Sequence, residues 1–209
     1  MTQQTVHLAV YDTMADWEFG YAVAGINDPQ FQQESGRYRV LTVGATRDAI
    51  TTMGGVRIVP DLAVEELSPE DSAMLIMAGA HTWDTKENGA FAALARRFLE
   101  AGVPVAAICG ATFGLADAGL LNDRAHTSSD VRYLSFSEHY QGHGHYQDAP
   151  AWTDGPLITA GPANPLEFAR EIFAKLELFT PENLDAWYGY YKTGDASYFF
   201  KLMPELAAS

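Results

Sequence analysis

The stretch that decides the fold is Val103-Pro-Val-Ala-Ala-Ile-Cys109-Gly-Ala-Thr-Phe-Gly-Leu-Ala-Asp-Ala-Gly-Leu-Leu121. Residues 105–108 are all apolar, which predicts a strand buried on both faces of a parallel sheet. Residues 111–119 carry mostly small side chains and predict a helix directly after it. Gly110 and Ala111 permit a sharp turn between the two, as a nucleophile elbow requires. Cys109 is therefore expected at the carboxyl edge of the sheet, where open α/β sheets bind their ligands.

Strand and helix patterns alternate along the rest of the chain. They predict helices after Asp16 and at 62–67, 91–101 and 165–176, and strands at 6–11, 38–43, 56–59, 72–79 and 157–160. Residues 122–153 give mixed signals and no prediction. The alternation and the apolar strands indicate an α/β three-layer sandwich, with a mostly parallel sheet covered by helices on both faces.

The composition is that of one globular domain with an aromatic-rich end. Of the 209 residues, 47% are hydrophobic and 19% are charged. Residues 1–180 are therefore expected to form one α/β domain. Residues 181–209 are rich in Tyr, Phe and Trp, and we expect them to form a helical extension that packs on this domain or on a dimer partner.

Charge and cysteine content limit the class of protein. Twenty-seven acidic residues against thirteen basic ones give a net charge of −14, which repels nucleic acid and anionic membranes. The single cysteine excludes an intrachain disulfide. No apolar run reaches the roughly 18 residues that cross a bilayer, and residues 1–5 lack the pattern of a signal peptide. A cytoplasmic protein without nucleic-acid or membrane partners is expected.

Cys109 is the residue with the strongest chemical signal. At the start of a helix, unpaired N–H groups and the helix dipole favour a thiolate and lower the pKa of the thiol. The same N–H groups can stabilise an oxyanion. The alternative is a small buried hydrophobe without reactivity. The order of strand, cysteine and small-residue helix favours the reactive thiolate.

The segment Ala107-Ile-Cys109-Gly-Ala111 resembles the cysteine elbow of the ThiJ/PfpI superfamily, which includes the Parkinson-associated deglycase, PfpI-type proteases, glyoxalase-like chaperones and isocyanide hydratases. Asp16-Trp-Glu18 resembles the acidic site of that family, Met77-Ala-Gly-Ala80 its oxyanion strand end, and residues 154–162 its late strand and turn. The resemblance covers residues 5 to about 177. It implies a flavodoxin-like, class I glutamine amidotransferase-like fold, a homodimer and a small-molecule substrate. No cofactor and no metal are expected.

The resemblance also assigns roles to residues near Cys109. Glu18 is expected beside the cysteine as a protonated carboxyl that hydrogen-bonds the thiolate and carries a proton. The alternative for Glu18 is a solvated acid stabilised by the helix dipole. Asp16 is expected to cap that helix. The N–H groups of Ala80 and Gly110 are the candidate oxyanion donors, and the expected pocket residues are Trp17, Trp83 and Gly79.

Two histidines are candidates for a catalytic base. His81 follows the predicted oxyanion strand end, although a surface histidine is an equal interpretation. His126 opens a segment that corresponds to where several family members carry a histidine near the cysteine. The segment 138–145 contains three further histidines at close spacing, which suits zinc. Its glycines provide no fixed scaffold, so an ordinary loop is favoured there.

Two departures from the family narrow the function. PfpI-type proteases carry a histidine directly after the nucleophile, where this chain has Gly110. Amidotransferases carry a late His-x-Glu pair, and residues 161–167 contain no histidine. The expected function is a Cys109–Glu18 enzyme of hydrolase, glyoxalase/deglycase or hydratase type that acts on a small electrophile. The alternatives are a redox-sensing stress-response protein that uses oxidation of Cys109, and a ligand-binding module with an inert cysteine.

Overall fold

A seven-stranded sheet forms the centre of the computed structural model, which describes residues 3–203. Its strands are β1 (Gln4–Ala9), β2 (Tyr38–Gly44), β5 (Leu62–Ala63), β6 (Met74–Met77), β7 (Val105–Ile108), β8 (Ala151–Asp154) and β9 (Leu157–Ala160). Two further short strands, β3 (Ile50–Thr51) and β4 (Arg57–Ile58), pair with each other. The order in the sheet is β5-β2-β1-β6-β7-β9-β8. All neighbours are parallel except β8, which is antiparallel to β9.

Helices pack on both sides of this sheet. They are α1 (Asp16–Asn27), α2 (His81–Asp84), α3 (Gly89–Glu100), α4 (Gly110–Asp117), α5 (Val131–Leu134), α6 (Pro165–Lys175), α7 (Pro181–Thr193) and α8 (Ala196–Leu202). One group joins α1, α6, α7 and α8, and the other joins α2, α3 and α5 around α4. Strands β6, β7 and β9 are buried along their whole length because both of their faces are covered. The predicted three-layer α/β fold is confirmed.

The strand order determines which loops meet at the carboxyl edge. Strand β6 lies between β1 and β7. The residues that follow β6 therefore lie between those that follow β1 and those that follow β7. This arrangement brings three separate parts of the sequence together at one point of the edge.

Two of the predicted elements differ in the structure. The helix predicted at 62–67 is wrong: Leu62 and Ala63 pair with Val43 and Gly44 as an edge strand, and a single 3₁₀ turn follows. Six residues are too few to stabilise an isolated α-helix, whereas pairing with β2 satisfies their backbone groups. The strand predicted at 56–59 shortens to β4 and lies outside the main sheet.

The aromatic extension packs on its own domain in the part that the structure describes. The Trp187 ring on α7 lies 4.9 Å from the Phe173 ring of α6 and 6.1 Å from the Tyr21 ring of α1. Residues 204–209 of the predicted extension lie outside the described residues. Within residues 3–203, no helix combines the length and the apolar composition needed to cross a bilayer.

Candidate active site

Cys109 lies at a strained turn between β7 and α4. Its φ of 58° and ψ of −126° lie outside the regions that residues with a side chain prefer, a conformation that costs about 1–3 kcal/mol. The Cys109 N–H donates to Ala160 O at 3.0 Å, and Cys109 O accepts from the Thr112 N–H at 3.0 Å. The side chain does not cap the helix. The sulfur is therefore available, and the residue is partly exposed.

Glu18 lies directly beside this sulfur. The residue is in the first turn of α1, yet it is only 1% exposed. Its carboxylate oxygen Oε2 accepts a hydrogen bond from the Gly79 N–H at 2.6 Å, and this oxygen and the Cys109 sulfur both lie beside the Gly79 α-carbon. The interpretation of Glu18 as a solvated helix-start acid is therefore wrong.

Gly79 provides the space in which the acid and the sulfur meet. A Cβ at this position would lie 2.8 Å from the Cys109 Sγ and 2.8 Å from Glu18 Oε2. Any side chain here would separate the two groups or displace the elbow. The prediction that Gly79 belongs to the site thus has a steric reason: just after the end of β6, the chain at Gly79 lies against both groups.

The two acids share one buried environment, and their pKa values reflect it. Burial raises the pKa of Glu18 to about 7, although the Gly79 N–H opposes the shift. Burial and then the charge of Glu18 raise the pKa of Cys109 to about 12, opposed by a hydrogen bond from the Gly110 N–H. Neighbouring acids in a buried site do not both ionise readily. Both groups are therefore protonated below about pH 7, and above it the pair holds a single proton.

The expectation of a lowered pKa at Cys109 is corrected by this geometry. That expectation considered the effect of the helix start on the pKa, but not the effects of burial and of the neighbouring Glu18 carboxylate. A thiolate forms in the pair when the shared proton resides on Glu18, because the protonated carboxyl then donates a hydrogen bond to sulfur. The site thus links the state of the sulfur to the position of a single proton.

Two backbone N–H groups lie near the sulfur. The Gly110 N–H is the first of α4 and directly follows Cys109. Ala80 has φ −159° and ψ 158°, an extended conformation that alanine adopts freely. Its nitrogen lies 3.4 Å from the position of a Cβ built on Gly110, and its N–H has no hydrogen-bond partner among residues 3–203. This pair is suited to hold a developing negative charge, and its role as an oxyanion hole stays a prediction.

Comparison with known proteins agrees with the arrangement of strand ends. The model of the DJ-1/PfpI family matches residues 4–175. The chain belongs to the DJ-1/PfpI family. This confirms the resemblance seen in the sequence.

Two relatives of this DJ-1/PfpI protein match it over nearly its whole length, and a third matches less than half of it. YoaZ of Bacillus subtilis, described as an uncharacterized protease, is 40% identical over 97% of this chain and 98% of its own. A ThiJ/PfpI family protein from Bacillus anthracis superposes with a TM-score of 0.92 at 39% identity, covering 98% of each chain. A deglycase from Pyrococcus abyssi is 32% identical over 44% of this chain and 55% of its own. The aromatic extension is therefore within the region shared with the longer matches.

The tryptophans of this DJ-1/PfpI protein occupy different environments. Trp17 is 55% exposed and adjoins Glu18 in the sequence. Trp83 is only 2% exposed: its Nε1–H donates to Ala78 O at 3.0 Å, and its ring fills the space beside Gly114. Trp83 lines a cavity beside α4 together with Phe113 and Gly114, and its role in a substrate pocket stays a prediction.

The structure places both candidate histidines in contacts that do not include Cys109. His81 is exposed, and its backbone N–H donates to Thr13 Oγ1 at 3.0 Å. His126 is fully buried, with Nδ1 2.7 Å from Arg124 O and Nε2 2.8 Å from the Tyr140 hydroxyl. Burial lowers the pKa of His126. With both ring nitrogens of His126 engaged, neither histidine hydrogen-bonds Cys109 within the described chain, and their catalytic role stays an untested prediction.

Asp16 differs from its expected role as a helix cap. Ala15 occupies the cap position, and the Asp16 carboxylate instead accepts a hydrogen bond from the Gly54 N–H at 2.6 Å. The carboxylate thus fixes the turn between β3 and β4 to the start of α1. Asp16 makes this contact because the chain between β3 and β4 folds back to the edge of the sheet where α1 begins.

Sequence reasoning missed a tyrosine–aspartate pair near the sulfur. The Tyr133 hydroxyl on α5 donates to Asp84 Oδ1 at 2.9 Å. Burial and the Asp84 carboxylate raise the pKa of Tyr133, with smaller effects from Cys109 and Glu18, so the pair lies within electrostatic reach of the site. Tyr133 falls in the segment that gave no pattern, and no local signal points to it.

Proposed function

We propose that this DJ-1/PfpI protein is a cysteine-dependent enzyme that acts on small electrophilic carbonyl compounds. The observation that supports it is the placement of the buried Glu18 carboxyl beside the Cys109 sulfur, in the space that Gly79 leaves free. A carboxyl with a pKa near neutrality can both accept and return a proton at the working pH. Relatives described as proteases and as a deglycase are consistent with attack on a carbonyl carbon.

The reaction begins with transfer of the thiol proton to Glu18. The sulfur electron pair forms a bond to the carbonyl carbon, and the π electrons move to the carbonyl oxygen, which the Ala80 and Gly110 N–H groups stabilise. With an aldehyde, Glu18 returns its proton to that oxygen and a hemithioacetal results. With an ester or amide, the proton goes to the leaving group and a thioester remains, which water hydrolyses.

The dimensions of the site favour a small substrate. Glu18 is nearly inaccessible to solvent and no side chain fits at Gly79. The reacting carbon must therefore enter a narrow space between three strand ends. The glycine after Cys109 also leaves the site without the adjacent histidine of PfpI-type proteases. A reactive aldehyde such as methylglyoxal fits these limits better than a folded protein does.

Turnover by purified protein tests the proposal. The substrate panel contains methylglyoxal, a small activated ester, a small isocyanide and an unstructured peptide. We expect turnover of a small carbonyl compound that disappears in Cys109→Ala and falls by at least about 100-fold in Glu18→Gln, the lower range for a lost acid–base catalyst. Glu65→Gln, which changes an exposed glutamate, serves as the control. Turnover that survives in Cys109→Ala contradicts the proposal.

A second candidate function is redox sensing through Cys109. The Gly110 N–H and the Glu18 carboxyl both lie next to the sulfur, and these groups are suited to donate to the oxygens of a sulfinate. Peroxide treatment followed by mass spectrometry tests it. Selective oxidation of Cys109 without turnover of any panel member favours sensing, and a sulfur that resists peroxide excludes it.

We also propose a homodimer, which the family resemblance implies, and a cytoplasmic location, which the sequence pattern of residues 1–5 and the single cysteine favour. Tyr191 and Phe200 of the extension remain 51% and 44% exposed, so the extension keeps apolar surface beyond its contacts with its own domain. Sedimentation velocity of the full chain tests this, and a monomer at micromolar concentration contradicts it. Deletion of residues 181–209 is a poor test, because Trp187 belongs to the core.

A further inference from the structure

The carbonyl oxygen of Cys109 is held by two groups of one residue. Thr112 donates to it from its backbone N–H at 3.0 Å and from its hydroxyl at 2.6 Å. The same hydroxyl lies 2.6 Å from the Ser128 hydroxyl. Thr112 and Ser128 are both buried. Two buried hydroxyl groups therefore support the carbonyl oxygen of the strained elbow residue.

The direction of these hydrogen bonds follows from proton counting. A carbonyl oxygen only accepts, so the single hydroxyl hydrogen of Thr112 points to Cys109 O. Ser128 must then donate to Thr112. The result is a directed chain from the Ser128 hydroxyl through the Thr112 hydroxyl to the Cys109 carbonyl, and chains of this kind strengthen their members.

This chain acts on the sulfur through one rigid peptide unit. The Cys109 carbonyl and the Gly110 N–H belong to the same planar group and point in opposite directions. Fixing the oxygen therefore also fixes the direction of the Gly110 N–H, which is the first N–H of α4 and directly follows the residue that carries the sulfur. The backbone of Cys109 is in an unfavourable conformation, and such a conformation persists only when its surroundings hold it.

We propose that Thr112 and Ser128 are positioning residues, which hold the Cys109–Gly110 peptide so that its N–H faces the sulfur and the oxygen of a bound carbonyl. Ser128 is well placed to support this role because its own segment is fixed to the sheet. The neighbouring Thr127 N–H donates to Thr159 Oγ1 of β9 at 2.8 Å. The inference rests on the proposed nucleophilic role of Cys109.

The test is the rate of Cys109 alkylation by iodoacetamide as a function of pH. Thr112→Val keeps the shape of the side chain and removes the hydroxyl. We expect alkylation about 10-fold slower at neutral pH, with the midpoint of the pH profile raised by about one unit, as for a hydrogen bond to a thiolate that is largely lost. Thr112→Ser restores the hydroxyl, and we expect it to restore both values to within about threefold.

Thr127→Val is the matched control, since it removes another buried threonine hydroxyl, which bonds Ala149 O rather than the elbow. Its alkylation profile should match that of the wild type even where its stability is lower. Ser128→Ala, which leaves the Thr112 hydroxyl without its donor, should shift the profile in the same direction by a smaller amount. This variant decides the matter if Thr112→Val does not fold.

Three results would overturn the positioning role. These are an unchanged profile in Thr112→Val or, where that variant does not fold, in Ser128→Ala; an equal loss in Thr127→Val; and no recovery in Thr112→Ser. Because iodoacetamide reports on the sulfur without any substrate, normal alkylation of a wild type that turns over no substrate contradicts only the proposed function.

Discussion

Replacing Glu18 by glutamine is expected to change how stability depends on pH. The carboxyl is buried, and its pKa is raised from 4.5 to about 7 in the folded protein. Between these values the folded state keeps a proton that the unfolded state has released. The free energy of unfolding therefore falls as pH rises through this window. Glutamine does not titrate, so the variant loses nothing there.

The size of the effect follows from the shift. A difference of about 2.5 pH units at about 1.36 kcal/mol each amounts to about 3 kcal/mol. Solvent does not screen this carboxyl appreciably, because Glu18 is nearly inaccessible, so the full energy applies. Relative to the wild type, Glu18→Gln is thus expected to gain about 3 kcal/mol of stability between about pH 4.5 and about pH 7.

His7 has the opposite effect and makes the comparison with a variant necessary. Burial lowers the pKa of His7 from 6.5 to about 4, so the unfolded state binds the extra proton in that window. Its contribution to stability rises with pH by a similar amount, about 3 kcal/mol. The two effects nearly cancel in the wild type over the shared range, and the burial of His126 adds to that of His7. Only the difference between variant and wild type isolates Glu18.

Urea unfolding followed by tryptophan fluorescence measures this difference. At an m-value of about 2 kcal/mol per molar urea, the midpoint of Glu18→Gln should move upward by about 1.5 M relative to the wild type between about pH 4.5 and about pH 7.5. Glu65→Gln, at an exposed position, should track the wild type at both values. Parallel curves for Glu18→Gln and the wild type would refute the assignment of Glu18 as a buried, proton-retaining acid.

Three further outcomes follow from the same geometry. Glu18→Gln removes a negative charge beside the sulfur, so the alkylation midpoint of Cys109 should fall by at least about one pH unit while turnover is lost; an unchanged midpoint in pH-dependent alkylation argues against the coupling. Gly79→Ala introduces a Cβ 2.8 Å from Sγ and Oε2 and should destabilise the protein by about 1–3 kcal/mol and abolish turnover, whereas Gly20→Ala, with open space around its Cβ, should stabilise it by up to about 1 kcal/mol in the same urea assay. Trp187→Ala should cost about 3–5 kcal/mol by thermal and urea unfolding, and a smaller loss would show that the extension packs only loosely.

The local sequence pattern was sufficient to predict the bounds of two strands that are buried on both faces. The strands predicted at 105–108 and 157–160 have the same bounds in the structure because continuous apolar runs have few other ways to be buried. The two-residue edge strand β5 was not predicted, because a strand this short leaves no recognisable sequence pattern. Its sequence has no period of its own, and its conformation depends on β2, which lies elsewhere in the chain.

The site could be predicted in outline and not in its electrostatics. The positions of Cys109, Glu18 and Gly79 follow from motifs at the ends of three strands, and the structure brings these residues together. The pKa of the sulfur does not follow, because burial and a neighbouring carboxylate are tertiary facts. The contacts of Thr112, Ser128 and Tyr133 escaped prediction for the same reason, since they join α4 or α2 to an irregular segment without hydrophobic period.

Two features of the site reduce the stability of the folded protein, and this bears on the role of Cys109. A non-glycine residue at φ 58° and a buried glutamate each oppose folding at neutral pH. A domain of this size gains nothing in stability from either feature, and an apolar side chain in place of Glu18 would remove one of the two costs. A ligand-binding module with an inert cysteine gives no reason to keep both. A sulfur whose ionisation is controlled by one adjacent proton does, whether it reacts with a carbonyl carbon or with peroxide.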